Sequence, residues 1–193
     1  MLKRVLTHPN KILRSKANPV LKFDEELEGL ITDLIDTANV MFGAGIAAPQ
    51  IGESKRVVII KPSAFQVENP FPSKYNEEYM VLINPVIETS GEKIEWIEAC
   101  LSVPGVEGKV KRFENCIVKF LDEAGNMQTL EAGFPFSGGL QHEIDHLDGI
   151  VYLNRMDKKR RRSMHWKIQK VRQKEKIAAR KRKRNLKNGA NYV

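Results

Sequence analysis

Gln141-His142-Glu143-Ile144-Asp145-His146 is the stretch on which the reading of this chain turns. On a helix, positions i and i+4 share a face, so His142 and His146 can close on one metal ion. Glu143 stands beside them, within reach of a water at that ion. Two neutral imidazoles hold a metal, and a carboxylate takes the proton from water attacking a carbonyl; the pattern signals a hydrolase. By itself an H-E-x-x-H run is moderately specific, because the same five residues also occur as a solvated helix turn with two histidines.

Two segments upstream sharpen it. Glu98-Ala99-Cys100-Leu101-Ser102 offers a cysteine as a third ligand, and a Cys-His-His set leaves a fourth tetrahedral position for water, as a catalytic site requires. The bland alternative for Cys100 is a small buried hydrophobe, which is how Cys116, in Asn115-Cys116-Ile117-Val118, is read. The other segment is Gly43-Ala44-Gly45-Ile46-Ala47-Ala48-Pro49-Gln50, where glycines allow another backbone to approach.

Together the three segments resemble the peptide deformylase family, whose motifs G-φ-G-φ-A-A-x-Q, E-G-C-φ-S and Q-H-E-x-D-H (φ apolar) have counterparts here in the family's order. His8-Pro9-Asn10-Lys11-Ile12-Leu13-Arg14 is similar to the family's N-terminal H-P-x-x-x-L-R, and the resemblance spans about residues 1 to 153. It implies hydrolysis of the N-formyl group from the N-formylmethionyl end of newly made polypeptides, with release of formate. It implies one divalent ion on Cys100, His142 and His146, with Fe2+ in the cell and Zn2+, Ni2+ or Co2+ as substitutes. Glu143 is then the general base that passes its proton to the departing amine, and Gln50 and the Leu101 N–H stabilise the oxyanion. Gly43, Ala44, Gly45, Ile46 and Glu98 form the candidate substrate-binding set. Ala44 and Ile46, with Trp96 as a further candidate, wall the pocket for the first side chain, methionine. Asp145 either orients a ligand or is a surface carboxylate.

Two positions depart from the family pattern. Ala99 replaces a glycine, which costs about 1 kcal/mol or more if that residue needs a positive φ. Ser137-Gly138-Gly139 stands where an Ala-Arg pair is common, which is expected to loosen the start of the metal helix and remove pocket-lining side chains.

The 193 residues suffice for one domain with a good core, and no run approaches the roughly 18 apolar residues of a membrane helix. The N-terminus has a basic start without an apolar h-region, so no secretory signal is expected. Cys100 and Cys116 are the two cysteines; if Cys100 is a ligand no disulfide can form, which fits a reducing cytosol. We expect a cytoplasmic monomer without membrane contact. The formal charge of +8 conceals a split. Residues 155 to 193 hold 17 Lys plus Arg against Asp157 and Glu175, and the first 154 hold 15 basic and 22 acidic side chains.

Residues 25 to 42 read as a helix with one buried face on the row Leu27, Leu30, Ile31, Leu34, Ile35, Ala38, Met41 and Phe42, capped by Asp24 and stopped by Gly43 and Gly45. Strands are expected at 56–61, 80–88 (interrupted at Asn84-Pro85), 93–97 and 127–130, with 109–113 and 115–121 pairing with each other. Residues 62 to 77 read as a surface loop, and the metal helix as Ser137, its N-cap, to Gly149. The fold class is α+β: antiparallel strands around a central metal-binding helix, with a long basic C-terminal helix.

The domain division is a catalytic region over 1–153 and a basic helix or tail over 154–193. In the tail, Met164, Ile168 and Val171 give a narrow apolar stripe with Ala178 in phase, so the helix should dock in part on the body. Beyond about 173 the chain is nearly all charge, through Arg180-Lys181-Arg182-Lys183-Arg184, and attracts phosphate backbones without reading sequence. Ribosomal RNA near the polypeptide exit is the expected partner. Two other readings stay open: an RNA-binding protein with a structural or vestigial metal site, and an H-E-x-x-H peptidase acting on unformylated peptides.

Overall fold

The structure is a computed structural model that describes residues 1–189, without the side chains of Glu175 and residues 182–189. The expected charge cluster from Arg182 onward and the last four residues of the tail lie outside that description.

The apolar row at 27–38 winds into α1 (Glu25–Met41), started by the Asp24 carboxylate, which accepts from Leu27 N–H at 3.2 Å. Its end differs from expectation. Phe42 itself takes the left-handed C-cap conformation, φ 53°, which carries Met41 and Phe42 off the buried face into exposed positions, and the Gly43 N–H bonds back to the Ala38 carbonyl. The glycines that follow are free for another purpose.

Five strands then form one antiparallel sheet in chain order: β1 (Gly45–Ala47), β2 (Val57–Ile60), β3 (Met80–Ala99), β4 (Glu107–Leu121) and β5 (Met127–Gly133). Val57, Ile59, Val81 and Ile83 pack on α1, while Val58, Ile60, Met80 and Leu82 pack on the opposite face. Burial on both faces is why these strands read as continuous apolar runs rather than alternations.

Residues 109–113 and 115–121 do not pair with each other. They are one strand, β4, bonded to β3 on one side and β5 on the other. Nor is β3 broken at Asn84-Pro85; the ladder resumes after a bulge. Asn84 sits at φ 51°, and its side-chain amide bonds to both the N–H and the carbonyl of Val20, which holds the bulge in place.

α2 (Phe136–Leu147) lies on the second face of the sheet with all twelve residues buried. It begins one residue before Ser137, which is inside the helix rather than at its cap. The hydroxyl of Ser137 donates to the Phe113 and Glu114 carbonyls of β4, at 3.1 and 2.7 Å, and so ties the helix start to the sheet. The helix ends at Leu147, and Gly149 follows at φ 70°.

A short α3 (Tyr152–Arg155) leads into α4 (Lys158–Gly189). Met164 and Ile168 of α4 are buried in a third cluster with Leu13, Cys100, Val103, Val110, Tyr152 and Met156. A Cβ on Gly108 would lie 1.9 Å from Met156 Cε, so the bare backbone of β4 is what lets this cluster close. The first turns of α4 therefore share a core with Cys100. No described helix is long and apolar enough to cross a membrane.

Candidate metal centre and substrate cleft

The helical repeat puts His142 and His146 on one face of α2, their rings 5.1 Å apart, and β3 delivers Cys100 at its end. One ligand atom from each of Cys100, His142 and His146 lies within 4.8 Å of the others, all three residues being buried. Cys100 Sγ is 3.3 Å from His146 Nε2. Donors around one tetrahedral ion stand roughly 3.5 Å apart, and thiolate with two imidazoles is a donor set for a single divalent ion, so these residues fit a metal.

What holds the ligands is a buried ionic chain. His142 Nδ1 faces Glu98 Oε2 at 2.6 Å, which leaves Nε2 for an ion. The Glu98 carboxylate also accepts from Arg112 Nε and Nη2 (2.7 and 3.1 Å) and from Trp96 Nε1 (2.9 Å). Burial works against its charge, but the bonds with His142 and Arg112 outweigh that and hold the carboxyl at about 2. Arg112 also donates to Asp145 at 2.6 Å, and Asp145 accepts from Arg155 of α3 as well. Asp145 is thus no surface carboxylate. Glu98, expected among the substrate-binding residues, borders the cleft, but its bonds go to the protein groups His142, Arg112 and Trp96.

Glu143 is buried, and its Oε2 has no hydrogen-bond partner. Burial, with the Glu98 charge adding to it, pushes this carboxyl up to about 7 against the opposing cations. Its position explains the second glycine of the G-x-G: a Cβ on Gly45 would sit 2.8–2.9 Å from Glu143 Oε1, Cδ and Cγ. Gln50 is also buried. Its Oε1 accepts from Ala47 N–H at 2.8 Å, and its amide donates toward Cys100 Sγ (3.6 Å) and Ser102 Oγ (3.2 Å).

A cleft of about 790 Å³ opens onto these groups, bordered by Gly43, Ala44, Gly45, Gln50, Trp96, Leu101, Gly139, His142 and Glu143. Ile46 is not among its walls. It is fully buried in the α1 core, because the strand alternation that turns Gly45 toward Glu143 turns the next residue away. Ala99 pairs with Glu107 at the end of β3 and is not among the positive-φ residues, so its methyl is accommodated without strain. Gly138 and Gly139 are buried inside the helix and present no side chain to the cleft; a Cβ on Gly138 would meet Trp96 at 3.0 Å, and one on Gly139 would meet Phe65 at 2.4 Å.

Sequence reasoning missed Arg112, Arg155 and Phe65. A signal existed for Arg112, which occupies an inward phase of β4 with Gly108 and Val110, where an unpaired charge would be costly. None existed for Phe65, a loop residue.

An α+β fold whose cleft ends at a Cys-His-His cluster beside a buried glutamate defines a mononuclear metal hydrolase. The comparisons specify which. The sequence profile of polypeptide deformylase matches residues 2–162. A peptide deformylase of Helicobacter hepaticus is 33% identical over 167 residues, covering 86% of this chain and 90% of that one. One of Dictyoglomus thermophilum is 39% identical over 156 residues, covering 80% and 93%. The crystal structure of a peptide deformylase from Legionella pneumophila superimposes with a TM-score of 0.80 at 35% identity, covering 91% and 98%. The chain belongs to the polypeptide deformylase family, and it is a hydrolase that removes the formyl group from polypeptide N-termini.

Proposed function

We propose that Cys100, His142 and His146 hold one divalent ion, Fe2+ in the cell, and that Glu143, Gln50 and Leu101 carry the chemistry on an N-formylmethionyl peptide. The observation that carries this reading is the convergence of the three ligand atoms beside the unpaired Glu143 oxygen at the end of an open cleft. A divalent ion held there would supply Lewis acidity, lowering the pKa of a water toward about 7. Glu143 takes the proton of the attacking water on a carboxylate oxygen and delivers it to the departing amine nitrogen. The oxyanion formed at the formyl carbon is met by the Gln50 side-chain amide and the Leu101 N–H, each worth about 2.7–4 kcal/mol in such sites. Glu98, fixed by Arg112, keeps His142 in one tautomer.

Gly43, Ala44 and Gly45 run into β1, an edge strand of the sheet, and an extended peptide can lie along them as an added strand. The experiment is release of formate from formyl-Met-Ala by anaerobically prepared protein, beside Glu143→Ala. Turnover that the variant abolishes supports the assignment; equal turnover by the variant removes Glu143 from it.

The basic C-terminal helix is proposed to bring the chain to ribosomal RNA, in the cytoplasm and as a monomer. Supporting this are the 17 cationic side chains after residue 154 and the exposed positions along α4 between its buried anchors Met164 and Ile168. Because those anchors belong to the Cys100 core, a truncation that tests docking must leave them in place. Ending the chain at Arg172 is expected to remove salt-sensitive ribosome binding and to spare formyl-peptide turnover; unchanged ribosome affinity would refute the docking.

A further inference from the structure

We propose that Phe65 is a specificity-determining residue: its ring closes the wall of the cleft that receives the substrate's first side chain, and Gly139 is glycine to seat that ring. The inference rests on the reading of the cleft as the formyl-peptide site.

Gly139 precedes Glu143 by one helical turn, so the two share a face of α2. At that point the helix contributes no side chain to the cleft. A Cβ on Gly139 would lie 2.4, 2.6 and 3.0 Å from Phe65 Cζ, Cε1 and Cε2, so the tip of the ring presses on the glycine itself. Phe65 ends the short turn Pro62–Phe65, with Gln66 left-handed behind it at φ 62°. Its ring also packs on Phe136, one turn before Gly139, with centroids 5.6 Å apart. The neighbouring Gly138 seats Trp96 in the same way. Phe65, Trp96, Gly139, His142 and Glu143 border one cleft. Its wall beside the reacting groups is therefore aromatic and comes from the 62–66 turn and β3, where a helix side chain would otherwise stand. Such a wall suits a thioether, which packs well against aromatic rings. Because a two-torsion ring held on both sides cannot fold away, it also limits the length of the side chain admitted.

The test compares kcat/KM for formyl-Met-Ala and formyl-Phe-Ala. Phe65→Ala is expected to raise the Phe-to-Met ratio about tenfold or more, the scale on which pocket size discriminates. Gly139→Ala drives the ring into the cleft and is expected to raise KM for formyl-Met-Ala about tenfold, with kcat little changed. In the Phe65→Ala background the same Gly139→Ala change meets no ring and should cost nothing, an outcome that a general folding defect would not produce. Competition by the product peptide Met-Ala should shift in parallel with KM. A Phe-to-Met ratio unchanged in Phe65→Ala, or an additive double variant, overturns the wall assignment alone. A metal-loaded wild type that releases no formate from either peptide overturns the reading of the cleft, and this inference with it.

Discussion

Gly45→Ala moves Glu143, the proposed general base, while keeping its carboxylate; because Gly45 also borders the cleft, the effect is read in kcat rather than in KM. The new Cβ would stand 2.8 Å from Glu143 Oε1 and 2.9 Å from Cδ and Cγ, whereas ordinary contact begins at 3.4 Å. The carboxylate must therefore retreat by about 0.5 Å. A displacement of about 1 Å at a reacting group costs about a hundredfold, so half of that on a logarithmic scale is about tenfold in kcat. The three atoms nearest the new Cβ all belong to Glu143 and none to a candidate ligand, so metal content should not change. Nor should the fold weaken, because Gly45 is a strand residue outside the left-handed region, where alanine is preferred over glycine by about 0.5–1 kcal/mol. Steady-state formate release and a thermal melt, run beside Glu143→Ala, make the measurement. The expected result is kcat about tenfold down, an intact melt, and a residual rate well above that of Glu143→Ala. A kcat within twofold of wild type would show that Glu143 need not sit where the structure holds it.

Three further outcomes are expected. Arg112→Met leaves Glu98 without its buried cation and Asp145 with Arg155 alone. It should lower stability in urea by about 3–5 kcal/mol and weaken metal retention, and Arg112→Lys should fail to restore either because the contact to Glu98 is bidentate. Burial pushes the Cys116 thiol up to about 11 from its ordinary value near 9, so the folded state holds that proton longer than the unfolded chain does. Its contribution is intact below about pH 9 and is lost as pH rises toward 11, by roughly 2–3 kcal/mol, and Cys116→Ala should flatten that slope in urea midpoints. Chelation should stop formate release and lower the melting temperature, and anaerobic Fe2+ should restore both; activity surviving verified metal removal would exclude a metal centre.

Much of the site was legible because its chemistry is encoded over short distances. The pairing of His142 with His146 follows from helix periodicity alone, and the row Leu27 to Ala38 with Asp24 before it defines α1 to within a residue. The cysteine motif lies forty residues from those histidines; donor chemistry makes Cys100 a candidate, but only the resemblance pairs it with them, since no spacing rule joins them. The same limit accounts for the errors. A single-residue parity places Ile46 in the α1 core and Gly45 against Glu143, and parity follows from the register of β1 on β2. Residues 109–121 contain a polar interruption at Glu114-Asn115 that reads as a break, but partners on both sides carry the strand through it.

The sequence by itself determined the family and singled out the candidate ligands Cys100, His142 and His146 and the candidate base Glu143, because each depends on residue identity at close spacing or in a recurring motif. The tertiary structure alone decided how those groups are held and what surrounds them. Arg112 joins Glu98, 14 residues before it, to Asp145, 33 residues after it, Met164 and Ile168 close a core around Cys100, and Phe65 occupies the space that Gly139 leaves open. Each of these contacts joins segments far apart in the chain. Their energies depend on which faces meet when the sheet closes, and no local pattern carries that information.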